Sequence, residues 1–491
     1  MTTESLEQTV LDVLIIGSGF AGIGLAIKLR EAGVDSLLIL EKAGEIGGTW
    51  RDNSYPGAAC DVPSHLYSFS FAPKADWTRT FAGQAEIHAY LLDCVSRYGL
   101  RPLIRCNSEV LGAVFDAHNG QWQVNLAGGQ TLRCRALVSA CGQLNRPAIP
   151  ALPGIEQFVG EAFHSARWRH DLDLRGRRVA VIGTGASAIQ FVPQLQTQVA
   201  HLTLFQRSAA YVLAKPDRAY RPWELALLRR VPGLLHLSRG LKYLQHEVRA
   251  LAFISFPQLM KLFAWRFRQH LRQAVADPQL RARLQPDYPM GCKRILISND
   301  YYPALAQANV EVVDSAIEAI TEHGVRTADG REHRCDVLIY GTGFAASDFL
   351  APMRITGLGG LDLNQAWQAG AQAYKGISVS GFPNLFLLYG PNTNLGHNSI
   401  IYMLESQFRY VLGCIQALKR DKLRYLDVKA SVQQPYNQRL QQDLQRTIWS
   451  QGCTSWYISA TGSQSNNWPG YTFTYRGLTR APEMDDYDCI R

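Results

Sequence analysis

The sequence predicts an α/β protein with two parallel, doubly wound domains and a helical insertion. Three observations carry this prediction. A strand, a glycine-rich turn and a helix follow one another near the N-terminus, at Leu11–Ile16, at Gly17-Ser-Gly-Phe-Ala-Gly22 and onward to about Ala32. The same order returns at Arg178–Ile182 and Gly183-Thr-Gly-Ala-Ser-Ala188. From residue 216 to about 285 strand alternation disappears and the chain reads as helices.

The first unit has the form of a dinucleotide-binding turn. Gly17 permits a tight bend, Gly19 lets backbone approach a pyrophosphate, and Gly22 lets helix and strand pack closely. Phe20 and Ala21 open an amphipathic helix whose positive end favours phosphate. A lone Gly-x-Gly-x-x-Gly is a weak signal, and its flanking strand and helix make it a strong one. In the second copy Gly183, Thr184, Gly185, Ser187 and Ala188 stand at the equivalent turn. Both units are therefore assigned as Rossmann-like, dinucleotide-binding domains.

The residue that ends the next strand tells the two apart. In the first unit Ser36–Leu40 leads to Glu41, 24 residues after Gly17. A carboxylate there accepts hydrogen bonds from a ribose with free hydroxyls and repels a ribose phosphate. In the second, His201–Gln206 leads to Arg207, also 24 residues after Gly183. A guanidinium there grips a 2′-phosphate in bidentate fashion. Equal spacing with opposite charge assigns FAD to the first fold and NADPH to the second.

Composition narrows the class. The chain has 491 residues, 47% of them apolar and 19% charged, which is material for buried cores and gives no sign of disorder. The ten cysteines are scattered, without a Cys-x-x-Cys pair. That argues against a structural metal site and against a disulfide framework, and it fits a reducing compartment. A thiol–disulfide flavoprotein needs two neighbouring cysteines, and Cys60 stands alone beside the first fold. The N-terminal MTTESLEQTV is polar and acidic and reads as no signal peptide, and no run of about 18 apolar residues occurs. A cytoplasmic protein is expected.

The net charge of +9 is concentrated in one segment. Between Arg218 and Arg283 there are 13 Lys and Arg against 3 Asp and Glu. Two readings of this basic insert stay open: a solvated helical face, and peripheral contact with an anionic membrane that would deliver an apolar substrate. Nucleic acid has no supporting motif beyond charge.

A further constellation carries a family resemblance. Phe158-Val-Gly160, His164 and Trp168 fall in the order F-x-G-x-x-x-H-x-x-x-W. This resembles the fingerprint of type I Baeyer–Villiger monooxygenases, within the flavin-containing monooxygenase superfamily. The family pattern normally continues with Pro or Asp, where this chain has Arg169. The resemblance covers most of the chain. Gly47-Gly48-Thr49-Trp50, Tyr55–Asp61 and Tyr67 are similar to the family's flavin-side loops. Phe205–Ser208 and Lys215–Arg218 are similar to its NADPH-side loop, and Gly390–Ser399 to a flavin-facing loop of one branch. Gly291–Arg294 resembles the segment that supplies its catalytic arginine.

The resemblance implies a reaction and roles. NADPH reduces the flavin, dioxygen is activated there, and one oxygen atom enters beside the carbonyl of an apolar ketone to give an ester or lactone. The species involved are anionic, so a fixed cation is needed. Arg294 is that candidate, because an arginine does not release its proton at neutral pH. Asp61 is assigned to hold the guanidinium. Lys293 and Ser208 are assigned with Arg207 to NADPH; Gly48, Thr49, Trp50, Asp61 and Tyr67 are assigned to FAD. His164 and Trp168 are read as interdomain struts. His397 has two readings, a substrate contact and a structural hydrogen bond, and Asn398 or Ser399 is expected to cap a following helix. The alternative activities are N- or S-oxygenation by the same flavin, and a non-catalytic flavoprotein or interaction module. The expected organisation is an FAD domain at 1–145, an NADPH domain at 146–215, the insert at 216–285, the NADPH domain again at 286–335, and the FAD domain again at 336–491.

Overall fold

The computed structural model describes residues 9–450, 452 and 463–491. The stretch read as lacking a signal peptide lies mostly outside these. The first unit forms β1 (Val10–Ile16), α1 (Phe20–Glu31) and β2 (Leu37–Leu40). β1 runs parallel to β2, pairing Val13 with Leu37, and parallel to Thr131–Ser139 on its other side, pairing Val13 with Ala136. These strands are near-continuous in Val, Ile and Leu because a central parallel sheet is covered on both faces. The sheet has eight strands and includes an antiparallel stretch, Val110–Asp116 and Gln121–Leu126, joined to Thr131–Ser139.

The helix α1 is not amphipathic as expected: nine of its twelve residues are buried. It lies between the sheet and a long helix near the C-terminus, and only its last turn, at Arg30 and Glu31, is exposed. The approach is close at Gly24, where a Cβ would come within 2.5 Å of the Phe408 ring and 2.7 Å of the Phe69 ring.

The second unit forms β3 (Arg178–Ile182), α2 (Ala188–Gln196) and β4 (His201–Phe205). Its five-stranded sheet runs Val310–Val313, β4, β3, Val337–Tyr340, Glu161–His164, all parallel. Val337–Tyr340 thus belongs to the second sheet, pairing with β3 from Val337↔Val179 to Tyr340↔Ile182. The chain returns to the first sheet after Tyr340, which corrects the boundary drawn at 336. The two crossings between the sheets run side by side: Ala148 N donates to Gly343 O at 2.9 Å and Ala345 N to Arg146 O at 3.0 Å.

The insert is helical, with α3 (Leu234–Ala250) and α4 (Met260–Ala274) as its long elements. The long C-terminal helix α5 (Ile400–Arg420) starts at Ser399, whose Oγ accepts from Ile401 N at 3.3 Å. Among the described residues no helix is long and apolar enough to cross a membrane. Cys292 is disulfide-bonded, so the scattered cysteines hold at least this one bridge where none was expected.

Candidate active site

Both glycine turns open into one cavity of about 1320 Å³. That exceeds the ~300–1,000 Å³ of a site for one drug-sized ligand. Gly17 adopts φ +106, and a Cβ there would lie 2.7 Å from Ala140 O. A Cβ on Gly22 would lie 2.0 Å from Gly17 O, so helix and strand close only on glycine. Gly19 faces Gly48 instead, with 3.8 Å from its virtual Cβ to Gly48 Cα, and leaves bare backbone on the cavity floor. Gly183 repeats the first role, with φ +110 and a virtual Cβ 2.4 Å from Gly341 O.

Of the sequence-predicted residues, Gly17, Gly19, Phe20, Ala21, Glu41 and Gly48 line the cavity, as do Thr49, Trp50, Asp61 and Tyr67. Gly183, Thr184, Gly185, Ser187, Arg207 and Ser208 line its other end, with Lys293 and Arg294 between. Gly22 and Ala188 do not. They are packing positions behind the turns, Ala188 fully buried beneath Gly341, and their assignment to cofactor contact is corrected.

Glu41 ends β2 as a buried carboxylate. Burial pushes its carboxyl up, but the Ala43 N–H, the Ser18 hydroxyl and Arg51 together hold it below its usual value. Ala43 N donates to Oε1 at 3.0 Å, Ser18 N and Oγ donate to Oε2 at 3.1 and 2.7 Å, and Arg51 Nη1 stands 3.0 Å from Oε1. An ionised carboxylate offers about four acceptor positions. A ribose hydroxyl bonding here therefore shares with or displaces the Ser18 hydroxyl, which rotates freely. The bare backbone at Gly19 and Gly48 and this ionised carboxylate fit a dinucleotide with an unphosphorylated ribose.

At the other end the charges are positive. Arg207 is exposed at the end of β4. Lys293 donates to Ser208 Oγ at 3.2 Å and lies over the Tyr288 ring at 4.3 Å. Burial and then the Arg207 charge pull the Lys293 ammonium below its usual value, with Asp287 working the other way. Neither cation has a carboxylate within 4.0 Å among the described residues, whereas a phosphate dianion would satisfy both.

Arg294 and Asp61 meet across 233 residues of chain. Arg294 Nε donates to Asp61 Oδ2 at 3.1 Å, and Nη2 donates to the same oxygen. Burial works to raise the Asp61 carboxyl, and the charge and hydrogen bond of Arg294 hold it below its usual value. About a third of each side chain remains uncovered, and both face the cavity. The cation is therefore fixed in direction yet open to a reacting molecule.

His164 and Trp168 are packing residues at the edge of the second unit. Ala166 N donates to His164 Nδ1 at 3.1 Å, and the His164 ring meets Phe344 edge-on. Trp168 packs on Phe163 and Phe191. Arg169 is exposed and pairs with Asp171 and Glu161. His397 is enclosed and absent from the cavity wall, which removes its reading as a substrate contact. Burial pushes its pKa down to about 3, and neither ring nitrogen has a hydrogen-bond partner among the described residues.

Several residues here escaped the sequence reading. Arg51 grips Glu41 from the helix that Gly48 begins. Gln190 on α2 donates to Ala59 O at 3.0 Å and accepts from Ala59 N at 3.2 Å, stitching the NADPH-side helix to the Asp61 loop. Leu395, Ile400 and Leu404 give the cavity an apolar wall beside Asn398. A glutamine on a helix and leucines after a polar loop carry no local signal.

Residues 14–232 match the family model described as pyridine nucleotide-disulphide oxidoreductase. Within that stretch Cys60 is a free, buried thiol pushed up by burial. A curated relative from Pseudomonas aeruginosa, named Baeyer-Villiger monooxygenase, is 48% identical over 97% of this chain and 90% of its own length. Another of the same name, from Streptomyces coelicolor, is 45% identical over 98% of this chain and 92% of its own. Among solved structures, OTEMO in complex with FAD and NADP superposes with a TM-score of 0.88 at 27% identity, covering 96% of this chain and 97% of that one.

Proposed function

Because this chain belongs to the Baeyer–Villiger monooxygenase family, we propose that it consumes NADPH and dioxygen to insert oxygen beside a ketone carbonyl, with Arg294 as the catalytic cation. It is an FAD- and NADPH-dependent monooxygenase. FAD, held by the Gly17–Ala21 turn, Glu41 and the Gly48–Trp50 loop, supplies hydride acceptance and the activation of dioxygen. Arg207, Ser208 and Lys293 receive the 2′-phosphate of NADPH.

The chain's own groups do the rest. Arg294 keeps its proton throughout, so it stabilises negative charge developing on oxygen rather than quenching it. Asp61 fixes the direction of the guanidinium. Leu395, Ile400 and Leu404 suit an apolar ketone and keep water from that side of the cavity. The observation that carries this reading is the Arg294–Asp61 pair on the wall of a cavity that both glycine turns share. The test is a screen of ketones of graded size for stimulated NADPH consumption, with mass spectrometry of the product. Ester or lactone is expected; consumption without any oxygenated product would overturn the reading.

We also propose that the insert docks on an anionic lipid surface. Leu237, Leu241, Leu244 and Val248 form one stripe along α3, each more than half exposed. Trp223, Phe256, Leu262 and Trp265 are exposed in the same segment. In the same segment Arg230, Lys261, Arg266, Arg268 and Arg272 have no carboxylate within 4.0 Å among the described residues. An exposed apolar stripe on a strongly basic segment is what an anionic interface binds. Sedimentation with anionic vesicles should be strong at low salt and fade as salt rises. Failure to sediment, or a dimer by light scattering that buries the stripe, would reassign the face.

A further inference from the structure

The buried face of α3 carries a carboxylate that the reaction does not use. Glu247 is buried on that face and holds two separate parts of the chain. Asn398 Nδ2 donates to Oε2 at 2.6 Å. Thr472 N donates to Oε1 at 2.7 Å, and Thr472 Oγ1 to Oε2 at 2.8 Å. The partners are a residue on the cavity wall, one place before the cap of α5, and a buried threonine of the C-terminal segment. His397, next to Asn398, stands 4.0 Å from Oε2 and is neutral above about pH 3. No Lys or Arg lies within 4.0 Å of this carboxylate among the described residues.

An acceptor-only group determines how its donors face. Because Glu247 takes the Asn398 Nδ2, the other end of that amide, Oδ1, is left to accept from Ser399 N at 2.8 Å. The carboxylate thus sets the orientation of Asn398 and, through it, the turn that aims the N-terminus of α5 at the cavity. Hydrogen bonds to a charged group are the strong ones, and a buried one that is lost leaves donors unpaired. The helical insert is in this way fastened to the cavity wall at Asn398.

We propose that Glu247 is a positioning residue that couples NADPH consumption to oxygen insertion. It does so by locking the insert to Asn398 and Thr472 so that the Asn398 edge of the cavity stays closed. The proposal rests on the monooxygenase reading. In the coupled reaction NADPH, a proton, dioxygen and the ketone give NADP+, water and the ester. In the uncoupled one NADPH, a proton and dioxygen give NADP+ and hydrogen peroxide, with the ketone unchanged.

The experiment compares the wild-type holoenzyme with Glu247→Gln, and with Glu247→Gln combined with Asn398→Asp. In the single variant the amide nitrogen of Gln meets one of the existing donors. In the double variant Gln donates to the new carboxylate, while its oxygen still accepts from Thr472. Product and hydrogen peroxide per NADPH are measured with the best ketone from the screen, together with the anaerobic rate of flavin reduction. Glu247→Gln is expected to lower the ratio of ester to peroxide by about tenfold or more, the factor for one lost hydrogen bond to a charged group. Flavin reduction should stay within about twofold, and the double variant should regain most of the ratio. An unchanged ratio in Glu247→Gln, or an equal loss in single and double variants, overturns the role. Absence of ester from the wild type overturns the monooxygenase reading itself.

Discussion

Removing the Arg294 guanidinium has two separable consequences. In the native site Nε and Nη2 both reach Asp61 Oδ2, so the cation is preorganised and open on its cavity side. Losing one preorganised stabiliser of developing negative charge costs ~3–4 kcal/mol, or about 10² to 10³ in rate. Arg294→Ala should lower ester formation by that factor while FAD stays bound, because the Gly17–Ala21 turn and Glu41 are untouched. The second consequence falls on Asp61. Burial drives its carboxyl up and the arginine charge and hydrogen bond are the largest influences holding it down, with its own backbone N–H and Lys215 adding to them, so Asp61 should titrate higher in the variant than in the wild type. Below that raised value it is neutral; above it the site holds an unpaired negative charge that opposes the reaction. Residual activity of Arg294→Ala should therefore fall as pH increases through that value, and Arg294→Ala with Asp61→Ala should lack the fall. Asp61→Ala alone should show a milder loss, since the cation remains but loses its direction. Ester per NADPH, measured from about pH 5 to 9 for the four proteins, decides the matter. A near wild-type rate and yield for Arg294→Ala would refute the assignment.

Three other outcomes follow from the structure. Arg207→Ala should raise the Michaelis constant for NADPH about 10-fold or more, and that for NADH little, since one charged hydrogen bond is worth ~1.5–3 kcal/mol; equal losses with both coenzymes would show that Arg207 does not read the phosphate. Asp427, on a strand that sets it opposite Asp488, is pushed up to about 7 by burial, with Asp488 adding to the rise and the Gly381 N–H opposing it. Between about pH 4 and 7 the folded protein then holds a proton that the unfolded chain has released, so this group makes stability fall as pH rises, by at most ~1.4 kcal/mol per unit. Asp427→Asn should melt higher than wild type above pH 7 and equal to it near pH 4; parallel melting profiles would contradict this. Gly22→Ala should destabilise the FAD fold and lower flavin content after purification, because its Cβ would meet Gly17 O at 2.0 Å; full flavin occupancy would show that the turn relaxes.

Legibility differed sharply between elements. The turns and strands of both Rossmann-like units lie within a residue or two of where the sequence puts them. Their signals are local, being a run of β-branched residues, glycines at fixed offsets and a charge at the strand end. The strands from Val110 to Ser139 went unread although Gln121–Leu126 alternates polar and apolar residues; their partners are settled only in the sheet. The boundary drawn at 336 puts Val337–Tyr340 with the FAD domain, whereas the strand pairs in the second sheet. An apolar four-residue run fits either parallel sheet, and only pairing with β3 and Glu161–His164 decides between them.

By itself the sequence determined the two nucleotide folds, the opposite charges of Glu41 and Arg207, and the residue types of the Arg294–Asp61 pair. Each is fixed by neighbours a few residues away or by a motif that one supersecondary unit carries. Tertiary structure realises the Arg294–Asp61 contact that the resemblance implied, and it alone decided that Gly22 and Ala188 pack behind the turns and that Gln190 and Glu247 fasten the helices to the site. Those facts depend on which distant surfaces come together. A polar side chain on a helix looks the same in a sequence whether it meets water or a partner hundreds of residues away.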